Sequence, residues 1–250
     1  MGTMQDARLR AVVTGARRGI GAATAERLLR EGWLVDSLGR QPPTDWVRME
    51  GDASRFLTAD ISSSADMRRV AAEYSTTALD LLVANAAEFA PWDEVASHAD
   101  LDSVDHLLAV NVIGTWRTLQ TFLPALRRAD AAVVIIVGSG GGSHGDPQFG
   151  IPVNAGAASY AVSKAAVHAL AVKAHVELAP EGIGVYVVDP GLTDTSPGMA
   201  RFGARRCGRS STRSCPVRTS ATRASRHGFA ALLFTIAAPR TGSGPTVERG

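Results

Sequence analysis

The sequence predicts an α/β fold in a single domain: a doubly wound parallel sheet with helices on both faces, followed by an irregular C-terminal segment. Three observations carry that prediction. Short apolar runs, largely β-branched, recur through the first 190 residues. Helical patterns alternate with them, which is the mark of βαβ units. Parallel neighbours need right-handed crossovers, and these wind the chain onto both faces of one sheet. A chain of 250 residues with ordinary apolar content can bury a core of that size.

The elements follow in order. LRAVVTG (9–15) is the first strand, ending in glycine, and GIGAATAERLLREG (19–32) has apolar residues at helical spacing and a glycine stop. WLVDSL (33–38), LDLLVAN (79–85), AAVVIIVG (131–138) and GVYVVDPG (184–191) are further strands. Helical patterns cover 64–74, 102–128 and 156–178. There is no internal repeat, and the biased stretches are GSGGGSH (138–144) and an Arg/Ser segment at 205–226. No run of eighteen apolar residues occurs, so a membrane span is not expected. The start carries no charged region leading into a long apolar run, so the protein is expected to be cytoplasmic.

TGARRGIG (14–21) joins the first strand to the first helix. A helix start offers unpaired N–H groups and the positive end of the dipole. Glycines there let the pyrophosphate of a dinucleotide approach the backbone. Strand, turn and helix in that order make Thr14, Gly15, Arg17, Arg18, Gly19, Ile20 and Gly21 candidate cofactor contacts. Further on, an acid suits a ribose 2′-hydroxyl and an arginine suits a 2′-phosphate. The second strand runs into Gly39 and Arg40, and Arg18 adds a second positive charge. Each guanidinium can pair with phosphate through two charge-assisted bonds. These two arginines favour NADP(H), while Asp36, inside the same apolar run, keeps NAD(H) possible.

The chain has two lysines, and one of them, Lys164, stands four residues after Tyr160 in SYAVSKAAVHALAVKAHVELA. On a helix the two share a face. An ammonium beside a phenol favours the phenolate and lowers its pKa. Such a tyrosine can give a proton to a carbonyl oxygen or take one from an alcohol near neutral pH.

The Gly-x-x-x-Gly-x-Gly turn and the Tyr-x-x-x-Lys helix resemble the short-chain dehydrogenase/reductase family, whose fold is of the Rossmann type. Five further stretches add to the resemblance, which covers residues 9–195. Asp60 and Ile61 match the family's contact to the adenine, although Asp60 also reads as a helix cap. Asn85, Ala86 and Ala87 match an Asn-Ala-Gly motif, with alanine in place of the glycine. Ser139, ending VVIIVGSG, takes the place of the serine that holds the substrate oxygen. It precedes Tyr160 by 21 residues, more than is usual, so GGGSHGDPQFGIPVNAGA is read as a lengthened substrate loop. Ser143 in that loop is the rival serine, and His144 is read as solvated. Asn111 matches a helix asparagine whose bound water reaches the lysine. Pro190, Gly191, Thr193 and Thr195 match a segment that meets the nicotinamide or the phosphates.

The resemblance implies NADP(H)-dependent hydride transfer between a ketone or aldehyde and an alcohol, on a small-molecule substrate. Tyr160 is then the general acid or base, and Lys164 lowers its pKa and holds the ribose. Ser139 positions the substrate, and Asn111 the relay water. The pocket is expected from 140–155, from 192–227 and from Phe89, Pro91 and Trp92. A homodimer or homotetramer is expected through the helices at 102–128 and 156–178.

Residues 201–250 do not fit that pattern. Residues 1–200 carry 16 basic and 23 acidic side chains, whereas 201–250 carry ten arginines and one acid, Glu248. The usual lid and last strand are replaced by RFGARRCGRSSTRSCPVRTSATRASRHG. A block of like charge resists folding, and a basic tract can bind nucleic acid. Abundant Arg, Ser, Gly and Cys without Lys favours a third reading, a translated alternative reading frame. Nucleic-acid binding is the weakest of these, and a chain that binds cofactor without turning over stands as the alternative function. Cys207 and Cys215, eight residues apart, form neither a disulfide framework nor a metal site with neighbouring ligands.

Overall fold

The computed structural model describes residues 8–43, 53–191, 193–194 and the backbone of 205–206. Six strands form one parallel sheet: β1 (Arg10–Thr14), β2 (Leu34–Gly39), β3 (Ser54–Thr58), β4 (Leu81–Ala84), β5 (Val133–Val137) and β6 (Gly184–Val188). Their spatial order is β3-β2-β1-β4-β5-β6, a doubly wound arrangement that reverses beside β1. Two short strands, β7 (Thr193–Asp194) and β8 (Arg205–Arg206), pair with each other outside it. Nearly all side chains of β1, β4 and β5 are buried, as expected of strands covered on both faces.

Helices α2 (Ser64–Glu73), α4 (Thr115–Leu126) and α5 (Ala158–Leu178) cover one face around Phe122, Met67, Val134 and Leu178. Helix α1 (Gly19–Arg30) covers the other face through Ala25 and Leu28 against Val13, Val35 and Val83. Gly32, at φ +88°, ends the turn after α1 in the left-handed conformation that glycine tolerates. Ser63 caps α2 by accepting a bond from the Asp66 N–H, 3.2 Å away.

The helical pattern at 102–128 resolves into three pieces. Helix α3 (Leu101–Leu108) passes through a π-helical stretch, Ala109–Gly114, before α4 begins. Such widened turns are rare and gather at functional sites; here Asn111 sits inside one.

Charge explains another departure from expectation. Asp36 is 1 % exposed in the middle of β2, opposite Val12 of β1 and Arg55 of β3. Its carboxylate takes Arg10 at 3.0 Å and Arg55 at 2.6 Å, and accepts the Tyr74 hydroxyl. Asp36 is therefore a structural counter-ion inside the sheet, away from the strand ends where a ribose would lie. Among the described residues no helix is long and apolar enough to cross a membrane.

Candidate active site

The strands all end at one edge, and a cleft of about 1810 Å³ opens there. It runs from the turn after β1 to Tyr160 and Lys164 on α5. Gly15, Arg17, Arg18, Gly19, Ile20, Arg40, Asp60, Ile61, Asn85, Ala86, Ala87, Pro190, Gly191 and Thr193 line it, together with Ser139. Thr195, Cys207 and Cys215 lie outside the described residues.

Its phosphate end is shaped by backbone. Helix α1 starts at Gly19 with no side chain capping it and no acid in its first turn. Its first N–H groups and positive dipole end are thus left to an anion from the cleft, which fits the pyrophosphate of a dinucleotide. Thr14 and Gly21 are placed differently from expectation. The Thr14 hydroxyl accepts the N–H groups of Asn85 and Ala86, both at 3.0 Å, and ties β1 to β4. A Cβ on Gly21 would stand 2.5 Å from Asn85 Nδ2 and 2.6 Å from the Gly15 carbonyl oxygen. The glycine is needed for packing of turn on helix, with Asn85 as the pin between them. Asp60 is not the helix cap, a place that Ser63 takes; it closes the turn before α2 instead, its Oδ1 accepting both the N–H and the hydroxyl of Ser62, at 2.8 and 2.7 Å. Burial pushes its pKa up, but those bonds outweigh it and leave the carboxyl below its usual range.

The residues expected to select the cofactor flank this end. Arg40 follows Gly39 at the end of β2, and its Nη1 lies 3.4 Å from Glu88 Oε1. The other Glu88 oxygen is 3.2 Å from His106 Nε2 on α3. Asn111 holds the Glu88 backbone on both sides, accepting its N–H at 2.8 Å and donating to its carbonyl at 2.9 Å. The asparagine amide also donates to the Ser163 hydroxyl at 3.0 Å, so its side chain is spent on holding loop and helix.

The reacting end is built from β5, α5 and the loop between them. A Cβ on Gly142 would lie 2.5 Å from the Lys164 carbonyl carbon, so only glycine lets the loop settle on α5 there. Helix α5 starts after Ala157, whose φ of 50° is a strained value for alanine. Glu94 supports that start: its carboxylate accepts the Ser159 N–H at 2.7 Å and its carbonyl the Ala158 N–H at 3.3 Å. One turn on, Lys164 is 4 % exposed and donates to the Val137 carbonyl at 2.7 Å. Its Nζ stands 5.5 Å from the centre of the Tyr160 ring, as the shared helix face requires. Phe89 packs against that ring, with centroids 4.4 Å apart, and touches Trp92 in turn.

The expected electrostatics need correction. Burial pushes the Tyr160 phenol up to about 12, against a hydrogen bond with Ser139 that pulls it down, and Asp189 adds to the rise. Burial also brings the Lys164 ammonium down to about 8, with Asp189 working the other way. The lysine does not bring the phenol toward neutrality; desolvation dominates both groups. Ser139 is the serine that meets Tyr160, whereas the Ser143 hydroxyl accepts the Gly145 N–H at 3.1 Å and His144 is exposed. The long loop does reach the cleft, through Asp146, Pro147, Gln148, Phe149, Asn154 and Gly156. Phe89 and Trp92 line the cleft too, while Pro91 lines a smaller cavity beside it.

Three residues were missed in the sequence. Asp189 acts on both titrating groups; its signal was its place just before Pro190-Gly191. His168, one turn beyond Lys164, accepts the Ser139 N–H at 3.3 Å and so steadies the serine. Glu88 follows directly on the Asn85–Ala87 stretch and had no signal beyond its charge.

Comparison with known proteins agrees with this geometry. A family model described as short chain dehydrogenase matches residues 10–204. A sorbitol dehydrogenase of Cereibacter sphaeroides is 32 % identical over 191 residues, covering 74 % of this chain and 70 % of that protein. An uncharacterized NAD-dependent oxidoreductase of Mycobacterium tuberculosis is 32 % identical over 206 residues, covering 74 % and 71 %. The crystal structure of a short chain dehydrogenase from Burkholderia cenocepacia J2315 in complex with NADP superposes with a TM-score of 0.63. It is 29 % identical and covers 81 % of this chain and 80 % of that one.

Proposed function

From the premise that this chain belongs to the short-chain dehydrogenase/reductase family of oxidoreductases, we propose that it is a nicotinamide-dependent enzyme interconverting a carbonyl compound and an alcohol. The observation that carries the reading is the meeting of Tyr160, Lys164 and Ser139 at the far end of one cleft from the uncapped start of α1. A bound nicotinamide would donate or accept the hydride. The chain's own residues do the rest. The α1 N–H groups, Arg17 and Arg18 hold the pyrophosphate side. Lys164 faces the ribose, and Ser139 orients the substrate oxygen. Tyr160 gives its phenolic proton to that oxygen during reduction and takes it back during oxidation. With Lys164 at about 8 the lysine is mostly charged at neutral pH, so it is the phenol, at about 12, that a bound ligand has to bring down for the pair to exchange protons near neutrality.

Arg18 and Arg40 favour NADP(H), and the NADP-bound relative supports that choice. The NAD-dependent relative keeps NAD(H) in the comparison. The sorbitol dehydrogenase makes polyols the first alcohols to try. A second copy of the chain is the proposed partner. Ile113 and Trp116 on the α4 side and Val162, Val172 and Val176 on α5 are exposed apolar side chains on long helices. A second reading, a dinucleotide binder with little turnover, is favoured by one fact: the family match ends at 204, where the composition changes.

Thermal unfolding with NADPH and with NADH tests the cofactor step, since a ligand of the folded state raises the midpoint. The expected result is a rise with both, larger with NADPH. No shift with either nucleotide would sink the proposal. A shift without oxidation or reduction of the nicotinamide across ketones and polyols would select the binder.

A further inference from the structure

We infer that Glu88 sets the cofactor choice of this chain by competing with a 2′-phosphate for Arg40; the inference rests on the dinucleotide reading above. Arg40 stands where the second strand ends, the position from which a guanidinium meets a 2′-phosphate. It already has an anion, with Glu88 Oε1 at 3.4 Å. The contact joins the loop after β2 to the loop after β4, across the mouth of the cleft that both residues line. Glu88 cannot drift away with its loop, because the Asn111 amide fixes both its backbone N–H and its carbonyl. Only its side chain can move. His106, 3.2 Å from its second oxygen, gives it somewhere to go. Asp60 is the other charged group of this corner, and it is influenced by both Arg40 and His106.

A 2′-phosphate has to take Arg40 from Glu88 and then sit beside that carboxylate. A 2′-hydroxyl does neither, and can itself donate to an acid. Glu88 therefore lowers affinity for NADP(H) while leaving NAD(H) nearly untouched, and it narrows the preference that the two arginines create. Its neutral isostere keeps the loop intact, because the Asn111 bonds use only main-chain atoms of residue 88.

The test is a set of dissociation constants for NADPH and NADH, measured on the intact chain as wild type, Glu88→Gln, Arg40→Gln and the double variant. Glu88→Gln is expected to tighten NADPH roughly three- to fivefold, the scale of one exposed ion pair. NADH should change less than about twofold on the same scale, and the gain should vanish when Arg40 is already glutamine. Equal tightening of both nucleotides, or a gain that persists without Arg40, overturns the inference. A wild-type chain that binds neither nucleotide overturns the dinucleotide reading itself.

Discussion

Two clusters in this molecule put a tyrosine, an aspartate and a basic residue together inside or beside the same sheet, and they behave in opposite ways. Around Asp36 every charge has a partner: Arg10 and Arg55 meet the carboxylate, and Tyr74 donates to it. Bonding to Asp36 raises the Arg55 pKa, and burial together with Asp36 raises that of Tyr74, so each stays in its ordinary protonation state. Around Lys164 the ammonium has a carbonyl for its bond, and among the described residues Asp189 is the charge that favours its charged form. Its pKa falls to about 8, within reach of ordinary conditions. Compensation makes the first cluster a fastening, and its shortage leaves the second able to exchange protons.

Breaking that contrast gives four expected outcomes, in falling order of size. Tyr160→Phe should cut turnover by about 10²–10⁴-fold, the usual worth of a positioned acid or base, while the NADPH-induced rise in unfolding midpoint persists. An equal loss of both would mean that the ring serves the fold. Asp36→Asn should destabilise the chain by about 3 kcal/mol in denaturant unfolding, because Arg10 loses its carboxylate and Arg55 keeps only the exposed Glu73. Turnover per folded molecule should be unchanged by it.

Lys164→Met goes the other way. Folding lowers this pKa from 10.5 to about 8, so holding the charged form buried costs stability below about pH 8. That cost fades as pH rises toward 10.5, where the unfolded chain also loses the proton. After allowing about 1 kcal/mol for the lost bond to Val137, the variant should be more stable than wild type by about 1–2 kcal/mol near neutral pH. The gap should close as the denaturation series is carried to alkaline pH. The smallest effect belongs to Asp189→Asn. It removes a carboxylate that raises the Lys164 pKa, so the lysine should titrate at lower pH, as followed by carbon-13 resonances of its side chain.

How much of this was legible follows from the kind of information each part needs. The parallel sheet, five of its six strands and the turn at 14–21 depend on patterns within about thirty residues, and they stand where the sequence put them; β3, with Ser, Arg and Thr among its five residues, carries too little apolar signal to be read as a strand. So does the Tyr160–Lys164 face, which needs only helical spacing. Asp36 was misplaced because its partners, Arg10 and Arg55, come from neighbouring strands and are visible only once the sheet order is known. Thr14 and Gly21 lie in the right turn, but their tasks were assigned to a ligand when Asn85, some seventy residues on, claims them. The sign of the Tyr160 shift was missed for a related reason. Spacing reports that a lysine is near, whereas burial, which a sequence does not print, decides which term wins.

The π-helical turn at Ala109–Gly114 has a consequence of phase. Each residue advances an α-helix by about 100°, so one residue more or less changes which way everything beyond it points. Asn111 and Val110 on the widened turn face inward, and so do Phe122 and Leu126 about three to four turns later. A π-turn takes up one residue more than an α-turn over the same rotation. The widened turn therefore absorbs an extra residue while the asparagine that holds Glu88 and the aromatic side chain that anchors the sheet both keep their inward faces. Deleting one residue at 112–114 should leave a regular helix with both halves in phase, whereas adding one should turn one of them outward.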